Sequence, residues 1–331
     1  MRRLQMILAY ADASRRTNGA GWGYLCAGVG TALFSMKAIF IKLAYLPGGG
    51  LEANELEVVT LLALRMGIAL PLYLCIGLWT VSQYRKAGKP LPSGKDILVT
   101  AALGLLGYYI CSFLDFSGLK YVTAQLERLL LFTYPAFVFF LGRAFFKAPA
   151  TGGKSIAAIA LSYVGLAMIF AGGDIAIGTN VPLGSALVLM AAFLFAFFQL
   201  FAKDLIGRMG TSLFTVVAMS SASIGVLVHF AIAEGGDVGP ALAVPSRIYM
   251  LGGLIAIFST LIPSFLMNIA LGRVGAQATS VLGMLGPVVT IIMAVMILGE
   301  PFGLVDAFGT ALTILGIAMF TKIGMGGNEK S

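Results

Sequence analysis

The 331 residues are 59% hydrophobic and 11% charged, and their mean hydropathy is +0.96. A soluble domain carries roughly 25% charged residues, so this chain has too little polar surface to cover a globule in water. The composition therefore excludes a water-soluble protein. It predicts an all-α membrane protein, because a membrane-spanning helix satisfies its own backbone hydrogen bonds.

Ten apolar stretches approach the ~20 residues that a helix needs to cross a bilayer. The two ends are predicted to be a cytoplasmic N-terminal segment, 1–19, and a cytoplasmic tail, 324–331. Short turns are predicted around Lys120-Tyr121 and around Arg273-Val274-Gly275. In chain order, the ten transmembrane helices are predicted at 20–46, 56–80, 96–118, 122–146, 154–172, 182–204, 211–233, 248–271, 275–298 and 303–322.

The net charge is +8, and the basic residues are distributed unequally between the two predicted sides of the membrane. With ten spans and an inner N-terminus, 16 of the 22 Lys and Arg residues fall on inner segments. Basic residues are retained on the cytoplasmic side of membrane proteins. The pattern predicts a multi-pass protein of the bacterial inner (plasma) membrane with both termini cytoplasmic. Its partners are then membrane lipids and not nucleic acid.

The chain contains a second, diverged copy of part of itself. Residues 112–149 align without a gap on 264–301, with 10 identities in 38 positions that include Ser112-Phe113-Leu114 on Ser264-Phe265-Leu266. Five spans per copy is an odd number, so the second copy enters the membrane from the opposite side. The chain is predicted to be two inverted five-helix repeats, 20–172 (helices 1–5) and 182–323 (helices 6–10). Such halves are typical of transporters that bind substrate between them.

Five charged residues fall inside predicted spans: Lys37, Arg65, Asp115, Glu127 and Arg128. A charge at mid-bilayer costs roughly 2.5–3.5 kcal/mol on insertion scales. Two interpretations stay open at this point. The five residues pair with one another and only fix helix packing, or they line a water-filled cavity that binds substrate. Their summed charge of +1 favours an anionic or zwitterionic substrate.

The second repeat replaces these charges with neutral residues. Its neighbouring polar residues Gln199 and Asn268 are predicted either to bind substrate or to form hydrogen bonds between helices. A cavity with one charged and one neutral end would bind a polar molecule in a single direction. The replacements are Phe198 for Lys37, Met267 for Asp115, Thr279 for Glu127 and Ser280 for Arg128.

Pro135 and Pro287 recur at one repeat position, and each removes a backbone hydrogen bond from its helix. They are the candidate hinge residues, although a static bend explains them equally. Tyr134 follows Glu127 by seven residues, on nearly the same helix face, and is a candidate substrate contact. Glu127 is the candidate carrier of a coupling proton.

The three cysteines lie in apolar segments, and the sequence contains a single histidine that could join them as a metal ligand. Their positions show no metal-ligand spacing. We expect no catalytic residue, no metal site and no cofactor.

These features resemble the drug/metabolite transporter superfamily, in particular the EamA family. Members have a lysine late in each repeat's first helix, as at Lys42 and Lys203, and a proline in the fourth. Leu298-Gly299-Glu300-Pro301 fits the family's Gly-Glu-Pro end, and Leu64-Arg65-Met66 is similar to its Leu-Arg-Phe. The first repeat departs from the pattern, because Phe146-Lys147-Ala148-Pro149 lacks the glutamate.

The resemblance implies secondary transport, often export, of amino acids or other metabolites through a central cavity. The chain is thus predicted to be no enzyme but an exporter of a small polar metabolite, an amino acid or similar zwitterion or anion. It would work by alternating access as a monomer or a homodimer. The alternatives are an intramembrane enzyme that acts on lipid-linked substrates and an ion channel.

Overall fold

The computed structural model describes residues 2–48, 52, 55–146, 153–172, 178–283 and 285–328, with only the backbone described at some helix positions. Every regular element in these ranges is helical. Three π-helical segments, Leu105–Ile110, Ile257–Leu261 and Ala294–Leu298, continue α3, α11 and α13 respectively. The α-helices are α1 (Arg2–Tyr45), α2 (Val58–Lys86), α3 (Gly94–Gly104), α4 (Cys111–Leu119), α5 (Ala124–Leu131), α6 (Tyr134–Phe146), α7 (Gly153–Gly172), α8 (Val181–Met209), α9 (Thr211–Ala233), α10 (Gly239–Leu242), α11 (Ser246–Ala256), α12 (Ile262–Gly283), α13 (Leu285–Met293) and α14 (Leu304–Asn328).

Seven helical runs in the described residues are long and apolar enough to cross a bilayer. Three further apolar helices, Ile156–Ile169, Gly286–Leu298 and Leu304–Gly316, are shorter than that length. Each of the ten predicted stretches coincides with helix, but the number of ten transmembrane helices stays a prediction. The seven runs are Gly21–Tyr45, Val58–Lys86, Gly94–Leu119, Ala124–Gly142, Val181–Met209, Thr211–Ala233 and Ser246–Ala270.

Helices of the first half pack against helices of the second. The α1 helix packs on α12, α4 on α8, α2 on α9, α5 on α13 and α7 on α14. In the repeat, α1 is equivalent to α8, and α4 is equivalent to α12. The α1–α12 contact is therefore equivalent to the α8–α4 contact. The α2–α9, α5–α13 and α7–α14 contacts each join two equivalent helices. The packing has the pattern that a two-fold relation between the halves would produce.

The repeat also appears in two local irregularities of the backbone. The π-helical segments that begin at Leu105 and Ile257 are separated by the repeat shift of 152 residues. A π-helical turn inserts one extra residue and is frequent at functional sites. Both segments face the interior of the bundle, where Gly107 and Thr260 line a common cavity.

Of the two short turns predicted between spans, the structure contains one and not the other. Between Leu119 and Ala124 the chain turns as the sequence predicts. The turn predicted at Arg273-Val274-Gly275 is wrong, because α12 remains helical through these residues as far as Gly283. A lone glycine lowers helix propensity but keeps its N–H group, so it does not force a helix to end.

Candidate functional site

A cavity of about 360 Å³ lies inside the bundle, between helices of the two halves. The first half contributes Lys37 of α1 and Asp115 of α4 to its wall, and the second half contributes Gln199 of α8 and Asn268 of α12. Because both halves form the wall, a displacement of one half against the other would change the shape of the cavity.

The two ends of the bundle differ in how they are held. One end, which we call the Glu300 end, is where the Glu300 carboxylate accepts the N–H of Ala124 at 2.8 Å. The opposite end, the Arg208 end, carries an exposed ion pair of 3.1 Å between Arg208 and Asp96. The cavity wall includes Ile206, within one helical turn of Arg208.

At the Glu300 end the helices are joined by contacts outside the cavity wall. The Tyr45 hydroxyl donates to the Phe116 carbonyl at 3.2 Å. The Gln125 side chain donates to the Pro301 carbonyl at 3.1 Å. Lys42 and Glu300 interact electrostatically at the same end. None of the residues that make these contacts lines the cavity.

Lys37 and Asp115 form a buried ion pair on the cavity wall. The Lys37 Nζ lies 2.5 Å from the Asp115 Oδ2, and the two residues are 6% and 2% exposed. The Lys37 ammonium also lies 5.1 Å from the centre of the Phe34 ring, a cation–π distance. The second carboxylate oxygen, Oδ1, has no hydrogen-bond partner among the described residues.

Arg128 joins α5 to α1 and α13. Its Nε donates to the Thr290 hydroxyl at 3.1 Å, and its Nη2 lies 3.4 Å from the carbonyl oxygens of Phe34 and Ser35. The planar guanidinium suits such a multiple contact. The Glu127 Oε2 lies 3.8 Å from the Arg128 Nε, at ion-pair distance.

Glu127 is fully buried, and it differs from its neighbours because it does not line the cavity. Neither of its carboxylate oxygens has a hydrogen-bond partner among the described residues. Its carboxylate interacts electrostatically with the Asp115 carboxylate and with the Lys37 ammonium. Glu127 therefore does not line the cavity itself, but its carboxylate lies among Asp115, Arg128 and Lys37, which do.

Arg65 lines the cavity and has no carboxylate ion-pair partner among the described residues. Its Nη1 donates to the Ser112 hydroxyl at 3.3 Å, and its guanidinium lies 5.4 Å from the centre of the Phe116 ring. Its Nε has no acceptor among the described residues. Arg65 is thus a buried cation whose hydrogen-bonding capacity is only partly used.

The neutral part of the wall comes mainly from the second half. Asn268 donates to the Thr215 hydroxyl, as one of its two predicted roles requires, and it also lines the cavity, while its contact with substrate stays a prediction. Gln199 and Tyr134 line the cavity too, and the Tyr134 ring packs edge-on against Phe195 at 5.4 Å. Seven of the eight predicted substrate contacts thus lie on one wall, and Glu127 is the exception. The side chains of Thr279, Ser280 and Lys203 lie outside the described residues.

The candidate hinge residues both stand near helix starts. Span 4 is interrupted between Leu131, where α5 ends, and Tyr134, where α6 begins, so Pro135 lies in the first turn of α6. Pro287 lies in the first turn of α13. Proline is tolerated there because the first-turn N–H groups have no intrahelical acceptor. The side chain of Pro135 lies outside the described residues, and the hinge role stays a prediction.

Sequence reasoning missed several polar residues of the wall. Ser112 accepts from Arg65, and Ser264 forms a 2.9 Å hydrogen bond with the Tyr73 hydroxyl. The repeat contained a signal for this pair, since Ser112 and Ser264 are equivalent positions. Ser259 and Thr260 also line the cavity and carried no such signal.

The bundle of apolar helices around an interhelical cavity defines a multi-pass integral membrane protein with an internal cavity that polar side chains help to line. The family model of the "EamA-like transporter family" matches residues 21–171 and again 182–322. The chain therefore belongs to the EamA family of the drug/metabolite transporter superfamily. Family membership implies a small-molecule substrate and a membrane environment.

Several relatives align over most of the chain. "Uncharacterized transporter YcbK" of Bacillus subtilis is 28% identical over 303 residues, which are 90% of this chain and 92% of the relative. An "Uncharacterized transporter" of Archaeoglobus fulgidus is 27% identical over 284 residues, 86% of this chain and 91% of the relative. A solved crystal structure superposes on this chain with a TM-score of 0.61 at 17% sequence identity. The superposition covers 91% of this chain and 96% of the other chain, and it shows a likeness in fold alone.

Proposed function

We propose that this protein is a secondary transporter that exports a small polar metabolite by alternating access. One observation carries the proposal: the cavity between the two halves is lined by buried ionisable residues that are costly to keep in a membrane. Family membership supports transport in general. The substrate would be an amino acid or a similar zwitterion or anion.

The contacts at the two ends support a mechanism with one closed end. The residues of the inter-helix contacts around Glu300 and Tyr45 do not line the cavity, whereas the cavity wall reaches Ile206, near the Arg208 end. Alternating access would break the contacts at the Glu300 end and close the Arg208 end. Pro135 and Pro287 would be the hinges, since a proline in a first turn cannot donate the backbone hydrogen bond that would join its helix to the preceding one.

The membrane arrangement that fits this mechanism is ten spans in two inverted repeats, 20–172 and 182–323. The positive-inside distribution supports cytoplasmic termini, and for a bacterial chain this means the inner membrane. The Arg208 end would then face the cytoplasm, the side from which an exporter loads its substrate. The protein would act as a monomer or a homodimer.

A proton is the coupling ion that the buried acids favour. The Glu127 carboxylate accepts no hydrogen bond from a described residue, although the Arg128 Nε lies 3.8 Å away at ion-pair distance. A bound proton would give the carboxyl group a hydrogen-bond donor of its own. Binding or release of this proton would change the electrostatic interactions of Glu127 with Lys37 and Asp115. Glu127 would thereby link protonation to the charged part of the cavity.

The test begins with a thermal-shift screen of the purified protein against amino acids, organic acids and nucleosides. A compound that stabilises the protein is then radiolabelled, and its uptake into proteoliposomes is measured. Saturable uptake, accelerated by unlabelled compound on the far side, supports a transporter. Flux that rises linearly with concentration would indicate a channel, and chemical conversion of the compound would indicate an enzyme.

A further inference from the structure

We propose that Arg65, with the hydroxyls of Ser259 and Thr260, forms the subsite that binds the carboxylate group of the transported molecule. This inference rests on the proposed function, because it concerns the same cavity. It adds Ser259 and Thr260 to the site and names a substrate class, monoanionic carboxylates with an apolar body.

The pairing of charges identifies Arg65 as the residue available to a ligand. Lys37 is bonded to Asp115 at 2.5 Å, and Arg128 lies 3.8 Å from Glu127. Arg65 is 4% exposed. No acidic side chain in the described part of the chain forms an ion pair with it, although it interacts with Asp115 at longer range. A ligand with one negative charge would supply the missing partner.

Two neighbours contact the Arg65 guanidinium. Its central carbon lies 5.4 Å from the centre of the Phe116 ring, and the Ser112 hydroxyl accepts from Nη1. The Nε–H remains without an acceptor in the described residues. A planar guanidinium with free donors matches the two oxygens of a carboxylate.

The hydroxyls of Ser259 and Thr260 are also without partners. Helical serines and threonines usually donate to the carbonyl four residues earlier, as Ser223 does to Met219 at 2.8 Å. Ser259 and Thr260, 1% and 5% exposed, make no hydrogen bond to any described residue. Three other buried hydroxyls share this property, Ser185, Ser220 and Thr310, but they do not line the cavity.

Arg65 and the two hydroxyls lie on elements that pack against each other. The segment Ile257–Leu261 packs against α2. About two turns after Arg65 on α2, the Tyr73 hydroxyl forms a hydrogen bond with Ser264, which lies one turn after Thr260. The unpaired cation and the unpaired hydroxyls therefore line one cavity where α2 of the first half meets this segment of the second half.

The rest of the cavity sets the class of ligand. Toward the Arg208 end the wall is aromatic, with Phe195, Phe198 and Phe214. An apolar body would pack against these rings while the carboxylate faces Arg65. One unpaired cation balances a monoanion, whereas a phosphate monoester brings a second negative charge that would remain unpaired.

Binding of three matched probes to the purified full-length protein in detergent tests this subsite. Phenylacetate carries the carboxylate, phenylacetamide is its uncharged isostere, and phenyl phosphate carries the larger charge. Isothermal titration should give a dissociation constant for phenylacetate about tenfold below those of the other two, since charge-assisted hydrogen bonds are the strong ones. Arg65→Gln should reduce the preference for acid over amide to within about twofold, and Arg65→Lys should retain part of it.

Matched controls separate the subsite from general effects. Ser259→Ala and Thr260→Val should each weaken phenylacetate binding about three- to tenfold and leave the amide unchanged. Ser220→Ala and Thr310→Val remove unpartnered hydroxyls away from the cavity, and Arg208→Gln removes an exposed cation. None of these three should change the acid preference. The two hydroxyl variants also keep the test decisive where Arg65→Gln fails to fold.

The outcomes distinguish the subsite from transport itself. An unchanged acid preference in Arg65→Gln, or in both hydroxyl variants, overturns the subsite even where proteoliposomes transport the acid. Tighter binding of phenyl phosphate, or no binding of phenylacetate, overturns the carboxylate class. If the preference disappears as expected but no probe or screened compound is transported, the subsite stands and the transport function fails.

Discussion

The Glu300 carboxylate accepts the backbone N–H of Ala124 at 2.8 Å and that of Gln125 at 3.3 Å, so a residue of the second half caps a helix of the first. Gly299 allows this contact. It adopts the left-handed conformation with φ of +65°, which ends the preceding helix and turns the chain toward α5. The first repeat has Ala148 at the position equivalent to Glu300 and cannot form the same carboxylate contact.

Glu300→Ala should open the Glu300 end more often. The change removes two hydrogen bonds to N–H groups at a helix start, an effect of about 1–2 kcal/mol. A closed state weakened by this amount opens several-fold more often. The measurement is alkylation of Cys111, which lines the cavity, by a membrane-impermeant maleimide in vesicles of both orientations, with Cys26 and Cys75 replaced by serine.

The matched controls are Glu300→Gln and Glu234→Gln. The amide keeps one acceptor without the charge, so Glu300→Gln should have an intermediate effect. Glu234 follows α9 at the same end of the bundle and should have none. Equal alkylation rates from the Glu300 end in wild type and Glu300→Ala would contradict a gating role for Glu300.

Removal of Lys37 alone should destabilise the protein strongly. Lys37→Met leaves the Asp115 carboxylate buried without its 2.5 Å partner, which costs about 3–5 kcal/mol. The double variant Lys37→Met/Asp115→Leu should unfold at nearly the wild-type temperature, because an apolar pair of similar size replaces the buried charges. Thermal unfolding in detergent measures both effects.

Transport by the double variant then separates two roles of the pair. If the pair only fixes packing, a stable double variant transports at the wild-type rate. We expect instead a loss of at least about tenfold in kcat/KM, since the pair lies on the cavity wall and its interactions with Glu127 are removed. Wild-type transport by the stable double variant would refute the functional role.

The positions of the buried charges could be predicted from the sequence, but their partners could not. An apolar context around Lys37, Arg65, Asp115, Glu127 and Arg128 is enough to predict burial, and all five are buried. Which cation meets which acid depends on the rotation and depth of separate helices. Only that tertiary geometry shows Lys37 with Asp115 and leaves Arg65 without an acid partner among the described residues.

Two further features could not be predicted from the sequence, each for its own reason. A π-helical turn adds a residue, so the face assigned by the 3.6-residue period shifts by about 100° after Ile257. Ser259 and Thr260 lie within that turn and were not predicted to line the cavity. Glu300 was noted only as part of a Gly-Glu-Pro motif, because a contact with α5 across the halves leaves no local pattern.

Arg128→Lys should destabilise the protein although it keeps the positive charge. Lysine lacks the planar fork with which Arg128 reaches Thr290, Phe34 and Ser35. The expected cost is about 2–3 kcal/mol, and Thr290→Val should cost about 1 kcal/mol. In the double variant the two effects should be less than additive, because both changes remove one shared contact. Additive effects would show that the Arg128–Thr290 contact contributes nothing to stability.

Pro135→Ala should slow transport without a matching loss of binding. Alanine restores the N–H group that proline lacks and allows α5 and α6 to join across Phe132 and Thr133, which stiffens the proposed hinge. A barrier raised by about 1.4 kcal/mol lowers kcat about tenfold. Uptake into proteoliposomes gives the rate, and isothermal titration of the same substrate should give an unchanged dissociation constant.

Pro71→Ala is the matched control, because Pro71 lies inside the continuous helix α2. Equal losses in both variants would mean that the rate depends on helix stiffness in general and not on a hinge at Pro135.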